Sequence, residues 1–170
     1  MFINYLEILK ESIMKRLILS ILPLLLIIGC SKPISEENLI EEDGLKYHPD
    51  TKELYTGEVF KNHIGGKLHL EGKYHRGNKY GIWTYWYKNG QKEKEGEVFT
   101  NGNEFKIWTH WYENGQKEKE GEYGGREPES EWGLWTYWYE NGQKEKELNF
   151  KMGTKDGLST EWYENGQKKE

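Results

Sequence analysis

The sequence predicts an all-β fold: tandem antiparallel β-hairpin repeats forming one elongated, twisted, single-layer sheet, preceded by a signal-peptide helix and a flexible tether. Three observations carry this expectation. One phrase, Trp-Tyr-Xaa-Asn-Gly-Gln, begins at Trp86, Trp111, Trp138 and Trp162, with spacings of 25, 27 and 24 residues. Self-similarity at a period in the twenties marks one supersecondary unit stacked several times. Each phrase contains Asn-Gly, the strongest short hairpin signal, because both residues tolerate positive φ. From Gly44 onward, 23 aromatic residues stand against 12 Ile, Leu and Val. A core of Tyr and Trp, each covering roughly 150–250 Å², suits a thin sheet better than a thick aliphatic interior.

The chain opens with an address. Lys15 and Arg16 precede Leu17–Ile28, which is apolar apart from Ser20 and Pro23, and then come Gly29 and Cys30. A basic region, a short apolar stretch and a small residue at the cut describe a secretory signal over residues 1–29. A spanning helix needs about 20 apolar residues, so this run is short for one. Residues 1–13 add Glu7 and Glu11, which signals avoid, and Met14-Lys-Arg is the expected true start. Ile27-Ile28-Gly29-Cys30 resembles a bacterial lipobox, which implies that Cys30 is lipidated and becomes the mature N-terminus. Two or more acyl chains, at about 0.8 kcal/mol per buried methylene, anchor a protein stably where one does not. The segment 30–43 is polar and acidic and reads as the flexible tether. With a single cysteine, neither an internal disulfide nor a multi-cysteine zinc site can form.

The repeat domain is expected over 44–170, with strands starting near Leu45. Its first copies are eroded: Tyr47–Phe60 and Gly66–Tyr74 keep only echoes such as Tyr55-Thr-Gly-Glu-Val-Phe60. Clear copies lie near 81–98, 106–123 and 133–148, with a partial cap at 157–170. In the first clear copy, Trp83–Tyr87 is dense in aromatic and β-branched residues, which favour strands. Asn89 and Gly90 turn the chain, and Gln91–Val98 returns. A two-residue turn sets Tyr85 opposite Lys94, Thr84 opposite Glu95 and Trp83 opposite Gly96. Gly96 then leaves room for the Trp83 indole to lie across its neighbour. A three-residue turn with a bulge at Gly90 shifts the register by one; the sequence leaves both turns open. The same turn residues recur at Asn114 and Gly115, Asn141 and Gly142, and Asn165 and Gly166.

The second copy places His110 in the slot held by Tyr85 and Tyr137. Leu148 replaces the return-strand glycine of the third copy, and Ser159 replaces the leading Trp of the fourth. These losses suit a terminal capping unit, and Lys168, Lys169 and Glu170 charge its edge against further pairing. The connections between hairpins are rich in Gly, Asn, Lys and acidic residues, as turns are.

The pattern Gly-Xaa-Trp-Thr-Xaa-Trp-Tyr-Xaa-Asn-Gly-Gln, followed by Lys-Glu-Lys-Glu-Gly-Glu, resembles the bacterial MORN-variant repeat. Leu54-Tyr-Thr-Gly-Glu-Val-Phe60 is similar to the opening of such domains, so the likeness runs over about Leu45–Glu170. It implies a run of antiparallel hairpins forming one long, twisted sheet, and eukaryotic MORN repeats are associated with membrane-proximal scaffolding and lipid contact. Such bacterial proteins are often labelled toxin–antitoxin system YwqK-family antitoxins, which offers a toxin as the partner. An antitoxin against an intracellular toxin belongs in the cytoplasm, whereas Cys30 implies a membrane-anchored lipoprotein of the bacterial envelope.

Other chemistry finds little footing. The net charge is −5 and the pI about 5.7, and lysines alternate with glutamates, so no basic stripe invites nucleic acid. His48, His63, His69, His75 and His110 show no zinc-module spacing, and no metal or cofactor is expected. The glutamates sit in repeated Lys-Glu strands, where solvated pairing explains them better than a two-carboxylate glycosidase does. The expected function is therefore a non-catalytic protein-interaction scaffold in the envelope; the alternatives are glycan or cell-wall binding by an aromatic ribbon and neutralisation of a toxin partner as a YwqK-type antitoxin. Trp86, Trp111, Trp138 and Trp162, all on one face, are the candidate ribbon. Trp83, Trp108 and Trp135 are the candidate packing residues of the other, and the two roles are exchanged if the register shifts.

Overall fold

Every Asn-Gly phrase bends the chain in the same way. Tyr87 N–H donates to the Gln91 carbonyl at 2.9 Å, and Gly90 N–H donates to the Tyr87 carbonyl at 2.9 Å. The loop is thus three residues long, with Gly90 at φ 94° closing a bulge that an L side chain would strain. The turns at Gly115, Gly142 and Gly166 repeat both hydrogen bonds and the positive φ. Beyond the turn, Trp86 pairs with Lys92 but Tyr85 pairs with Lys94, so Glu93 is an extra residue on the return strand. This second bulge moves the ladder by one. The body of the hairpin then has Tyr85 opposite Lys94, Thr84 opposite Glu95 and Trp83 opposite Gly96, as a two-residue turn would give. The turn follows one of the two expected geometries and the ladder the other, because two bulges cancel.

The computed structural model describes residues 32–98, 106–124 and 130–170. The signal segment 1–29 and Cys30 lie outside them. Strands β1 (Ile34–Ser35), β2 (Ile40–Glu42) and β3 (Leu45–Tyr47) come first, with a 3₁₀ turn at Glu36–Asn38 after β1. Hairpin strands follow as β4 (Gly57–Asn62), β5 (Leu68–His75), β6 (Asn78–Trp86) and β7 (Lys92–Val98). Then come β8 (Lys106–Trp111), β9 (Lys117–Gly124), β10 (Ser130–Trp138) and β11 (Lys144–Lys151), closed by the short β12 (Thr154–Lys155) and β13 (Thr160–Glu161). One sheet runs β1-β4-β5-β6-β7-β8-β9-β10-β11-β12, with β13 also on β11. All its pairings are antiparallel except β1 on β4. Strands β2 and β3 form a separate two-stranded ribbon.

The tether expected over 30–43 needs correction. From Ile34 onward this stretch belongs to the fold: Ile34 lies beside Val59 and Ser35 beside Phe60. Leu39 is buried with Tyr55, Val59, Leu70, Tyr74, Trp83, Val98 and Trp108. Tyr74 donates its hydroxyl to the Glu36 carboxylate at 2.9 Å. Burial, and then that carboxylate, push the Tyr74 phenol pKa upward. The physical reason is a matter of cover. The first hairpin has no earlier hairpin to lie on, so Ile34 and Leu39, from a largely polar stretch, supply the missing apolar contact.

Candidate functional site

The alternation of side chains along each strand gives the sheet two unlike faces. On one, the tryptophans of the Gly-Xaa-Trp positions lie flat on glycines, but not on the expected ones. Gly96 does not seat Trp83. A Cβ at Gly96 would meet Trp108 of the next hairpin, one at Gly72 would meet Trp83, and one at Gly121 would meet Trp135. Each indole therefore covers the return strand of the preceding hairpin. Trp83 and Trp135 are fully buried as a result, although no second layer lies over Trp135's hairpin among the described residues. Leu148 and Ser159 now make sense together: where the next hairpin brings no indole, the glycine that would seat it gives way to a buried leucine.

The row beside this one alternates rings and lysines, Tyr85–Lys94–His110–Lys119–Tyr137–Lys146. Lys94 Nζ stands 4.5 Å from the Tyr85 ring centroid and 5.5 Å from that of Trp108, and Lys119 stands 5.5 Å from that of Trp135. His110 occupies the Tyr slot, as its position in the repeat implies. Burial, with Lys119 and Lys94 adding repulsion, holds its pKa down at about 4. Burial pushes the Tyr137 phenol up to about 12.

The turns perform a second task that their sequence signature does not announce. Tyr87 donates its hydroxyl to the Trp111 carbonyl at 2.8 Å, Tyr112 to that of Trp138 at 2.8 Å, and Tyr139 to that of Trp162 at 2.9 Å. Asn89 Nδ2 donates to the Glu113 carbonyl at 2.9 Å, Asn114 to that of Glu140 and Asn141 to that of Glu164, both at 3.0 Å. Each Asn Oδ1 also accepts from the Gln N–H of its own turn at 2.9 Å. The whole phrase is a clasp between consecutive turns. His63 Nε2, 2.7 Å from the Trp86 carbonyl, plays the tyrosine's part in the eroded first turn, and that nitrogen must carry the proton because the carbonyl only accepts. The signal that could have revealed the clasp is that the repeat preserves Tyr, Asn and Gln together, not merely Asn-Gly.

The other face is open, and three parallel rows cross it. The middle row is a ladder of alternating acid and hydroxyl running from Phe60: Glu71–Thr84–Glu95–Thr109–Glu120–Thr136–Glu147–Thr160. Thr84 and Thr109 donate to Glu95 and Glu120 at 3.0 and 2.9 Å. Lys92 and Lys117 reach the same carboxylates at 2.6 and 2.7 Å, and Lys144 reaches Glu147. The lysine hydrogen bonds are the main reason Glu95 and Glu120 have lowered pKa values. On one flank lies an aliphatic row, Ile82, Ile107, Leu134 and Leu158, with exposures of 63%, 57%, 53% and 90%. On the other lies the ribbon of Trp86, Trp111, Trp138 and Trp162, each half-buried. Lys92, Lys117 and Lys144 stand over the rings of Trp111, Trp138 and Trp162 at 5.4–5.6 Å.

His63 and His69 have ring centroids 4.3 Å apart, while His75 lies beside Tyr80. Among the described residues no group of three His, Cys, Asp or Glu converges as metal ligands would. Comparison with protein families finds the MORN repeat variant at residues 79–101, 106–123, 133–152 and 155–170, a little under half of the chain. No curated protein matches it.

Proposed function

We propose, from the premise that this chain carries four MORN-variant repeats, that it is an envelope-anchored lipoprotein whose sheet is a non-catalytic scaffold for another protein. One observation carries the reading: the two faces are used differently. The packed face spends its tryptophans on holding hairpin to hairpin. The open face repeats one aliphatic residue and one Glu–Thr–Lys group per hairpin, and nothing among the described residues covers the aliphatic row. Exposed apolar side chains aligned in one row, rimmed by charge, mark interaction surfaces. Adjacent strands lie about 4.8 Å apart, so the same chemistry returns every ~10 Å, a regular lattice for a long partner. Lysines already standing over three ribbon rings favour a protein partner over a stacked sugar. Lipidation of Cys30 supplies the membrane attachment in this reading.

Purification of the full chain from envelope fractions in mild detergent tests it. A protein partner recovered at fixed stoichiometry, and lost with Ile107→Asp plus Leu134→Asp while circular dichroism is unchanged, is the expected result. Recovery of glycan alone, or of a partner indifferent to these substitutions, would overturn the scaffold. Palmitate incorporation that persists in Cys30→Ala would remove the anchor.

A further inference from the structure

The Glu–Thr ladder is closed by lysines at three of its carboxylates and left open at the first. Glu95, Glu120 and Glu147 each take a lysine from three residues earlier on the same strand. Three residues before Glu71 stands Leu68. Among the described residues no ion pair reaches Glu71. The aromatic that belongs to this position is bare as well. Lys92, Lys117 and Lys144 stand over Trp111, Trp138 and Trp162, whereas among the described residues no ammonium stands over Trp86.

This gap opens on a groove of about 800 Å³ on the same face, whose lining includes Phe60, Glu71, Tyr80, Ile82 and Thr84. Its other charges are already balanced. Glu58 has Lys73 at 3.9 Å, and Glu95 has Lys92 at 2.6 Å. Glu71 is the carboxylate left over, flanked in register by Phe60 and Thr84. The walls are apolar at Phe60 and Ile82, the latter 63% exposed. The neighbouring hairpins show what fits such a place: an ammonium at 2.6–2.7 Å from the carboxylate whose tip also lies against the next indole.

We propose that this groove receives a lysine side chain of the partner polypeptide. Its ammonium pairs with Glu71, its methylene stem lies along Phe60 and Ile82, and its tip faces the Trp86 ring, where a cation–π contact adds to the ion pair. The partner thereby supplies the one lysine that the ladder lacks, which would set where along the repeating lattice it docks. This rests on the scaffold reading and gives it a register.

The probe is the peptide acetyl-Gly-Leu-Lys-Leu-Gly-amide, with its Nε-acetyl-lysine form as control, titrated into the full chain and followed by amide and indole NMR shifts. Shifts should centre on Glu71, Thr84 and the Trp86 indole. Binding should weaken at least fivefold with the acetylated peptide, with Glu71→Gln, and with Leu68→Lys, which fills the gap from within. Glu120→Gln, at a carboxylate already paired with Lys117, should leave it unchanged. Equal binding of the acetylated peptide, indifference to Leu68→Lys, or shifts spread evenly over Glu120 and Glu147 would overturn the site. The two readings fail differently. Absence of any protein partner in the envelope purification removes the scaffold, whereas a partner held undiminished by Leu68→Lys removes this site alone.

Discussion

Gly121→Ala should destabilise the sheet although it adds only a methyl group. A Cβ at this position would stand 2.6 Å from Trp135 Cγ and closer still to other ring atoms, against ordinary carbon contacts of about 3.5–4.0 Å. Trp135 is fully buried and donates its Nε1–H to the Glu122 carbonyl at 3.1 Å, so its ring has nowhere to retreat without breaking that bond. Overpacking costs about 1–3 kcal/mol, and a lost hydrogen bond about 1 kcal/mol more. Opposing this, replacing Gly by Ala at an unstrained backbone gains about 0.4–1 kcal/mol through the unfolded state, and Gly121 is not among the positive-φ residues. The net loss is therefore about 1.5–3 kcal/mol, a fall in Tm of roughly 5–10 °C for a domain of this size. Urea and thermal unfolding followed by tryptophan fluorescence measure it. Gly121→Leu with Trp135→Ser copies the natural Leu148 and Ser159 pair, and should be at least about 2 kcal/mol more stable than the two single losses added together. Wild-type stability in Gly121→Ala, or strict additivity in the pair, would refute the seating of each indole on the preceding hairpin.

Further outcomes follow from single contacts. Tyr112→Phe removes the clasp to the Trp138 carbonyl and should cost about 1 kcal/mol in urea unfolding, with fluorescence of Trp135 and Trp138 on β10 changing most. Leu39→Ala, at a buried position supplied by the N-terminal segment, should cost about 2–5 kcal/mol; a loss under ~0.5 kcal/mol would mean that this segment is a tether after all. His110 has a folded-state pKa of about 4, below its unfolded value of about 6.5. The unfolded chain thus binds the extra proton first, and stability falls as the pH drops from 6.5 toward 4. His110→Tyr, which copies Tyr85 and Tyr137, should remove on the order of 1–3 kcal/mol of that acid sensitivity. Parallel stability–pH curves for variant and wild type between pH 4 and 7 would contradict the buried, neutral imidazole.

Much of the fold is visible in the chain because the informative signals are local. Asn-Gly, the Trp-Tyr strand before it and the Lys-Glu strand after it lie within one hairpin, so the hairpins and the Tyr-like slot of His110 could be read directly. What hairpins do to each other was harder to read. Pairing of β7 with β8 joins residues whose separation in sequence is set by a variable connection, so the indole of Trp108 on Gly96 looks from sequence like Trp83 on Gly96. The correct partner was marked all the same: Leu148 and Ser159 change together across two hairpins, not within one. The turn shows the same limit in miniature. A local reading offered two registers, and the structure uses both, since the bulge at Glu93 undoes the shift introduced at Gly90. In the N-terminal stretch, polar composition outweighed Ile34 and Leu39, two apolar residues whose value lies only in what they cover. The lysine-free position at Leu68 became meaningful once the cross-strand register had aligned Glu71 with Glu95, Glu120 and Glu147.

The most direct measurement is the NMR shift of the glycine Hα protons at positions 72, 96 and 121. Lying under indole rings brought by the following hairpin, they should move strongly upfield and show nuclear Overhauser contacts to Trp83, Trp108 and Trp135 respectively. Random-coil shifts for these three glycines, or contacts from Gly96 to the Trp83 ring instead of Trp108, would contradict the docking of hairpin on hairpin that leaves the opposite face open.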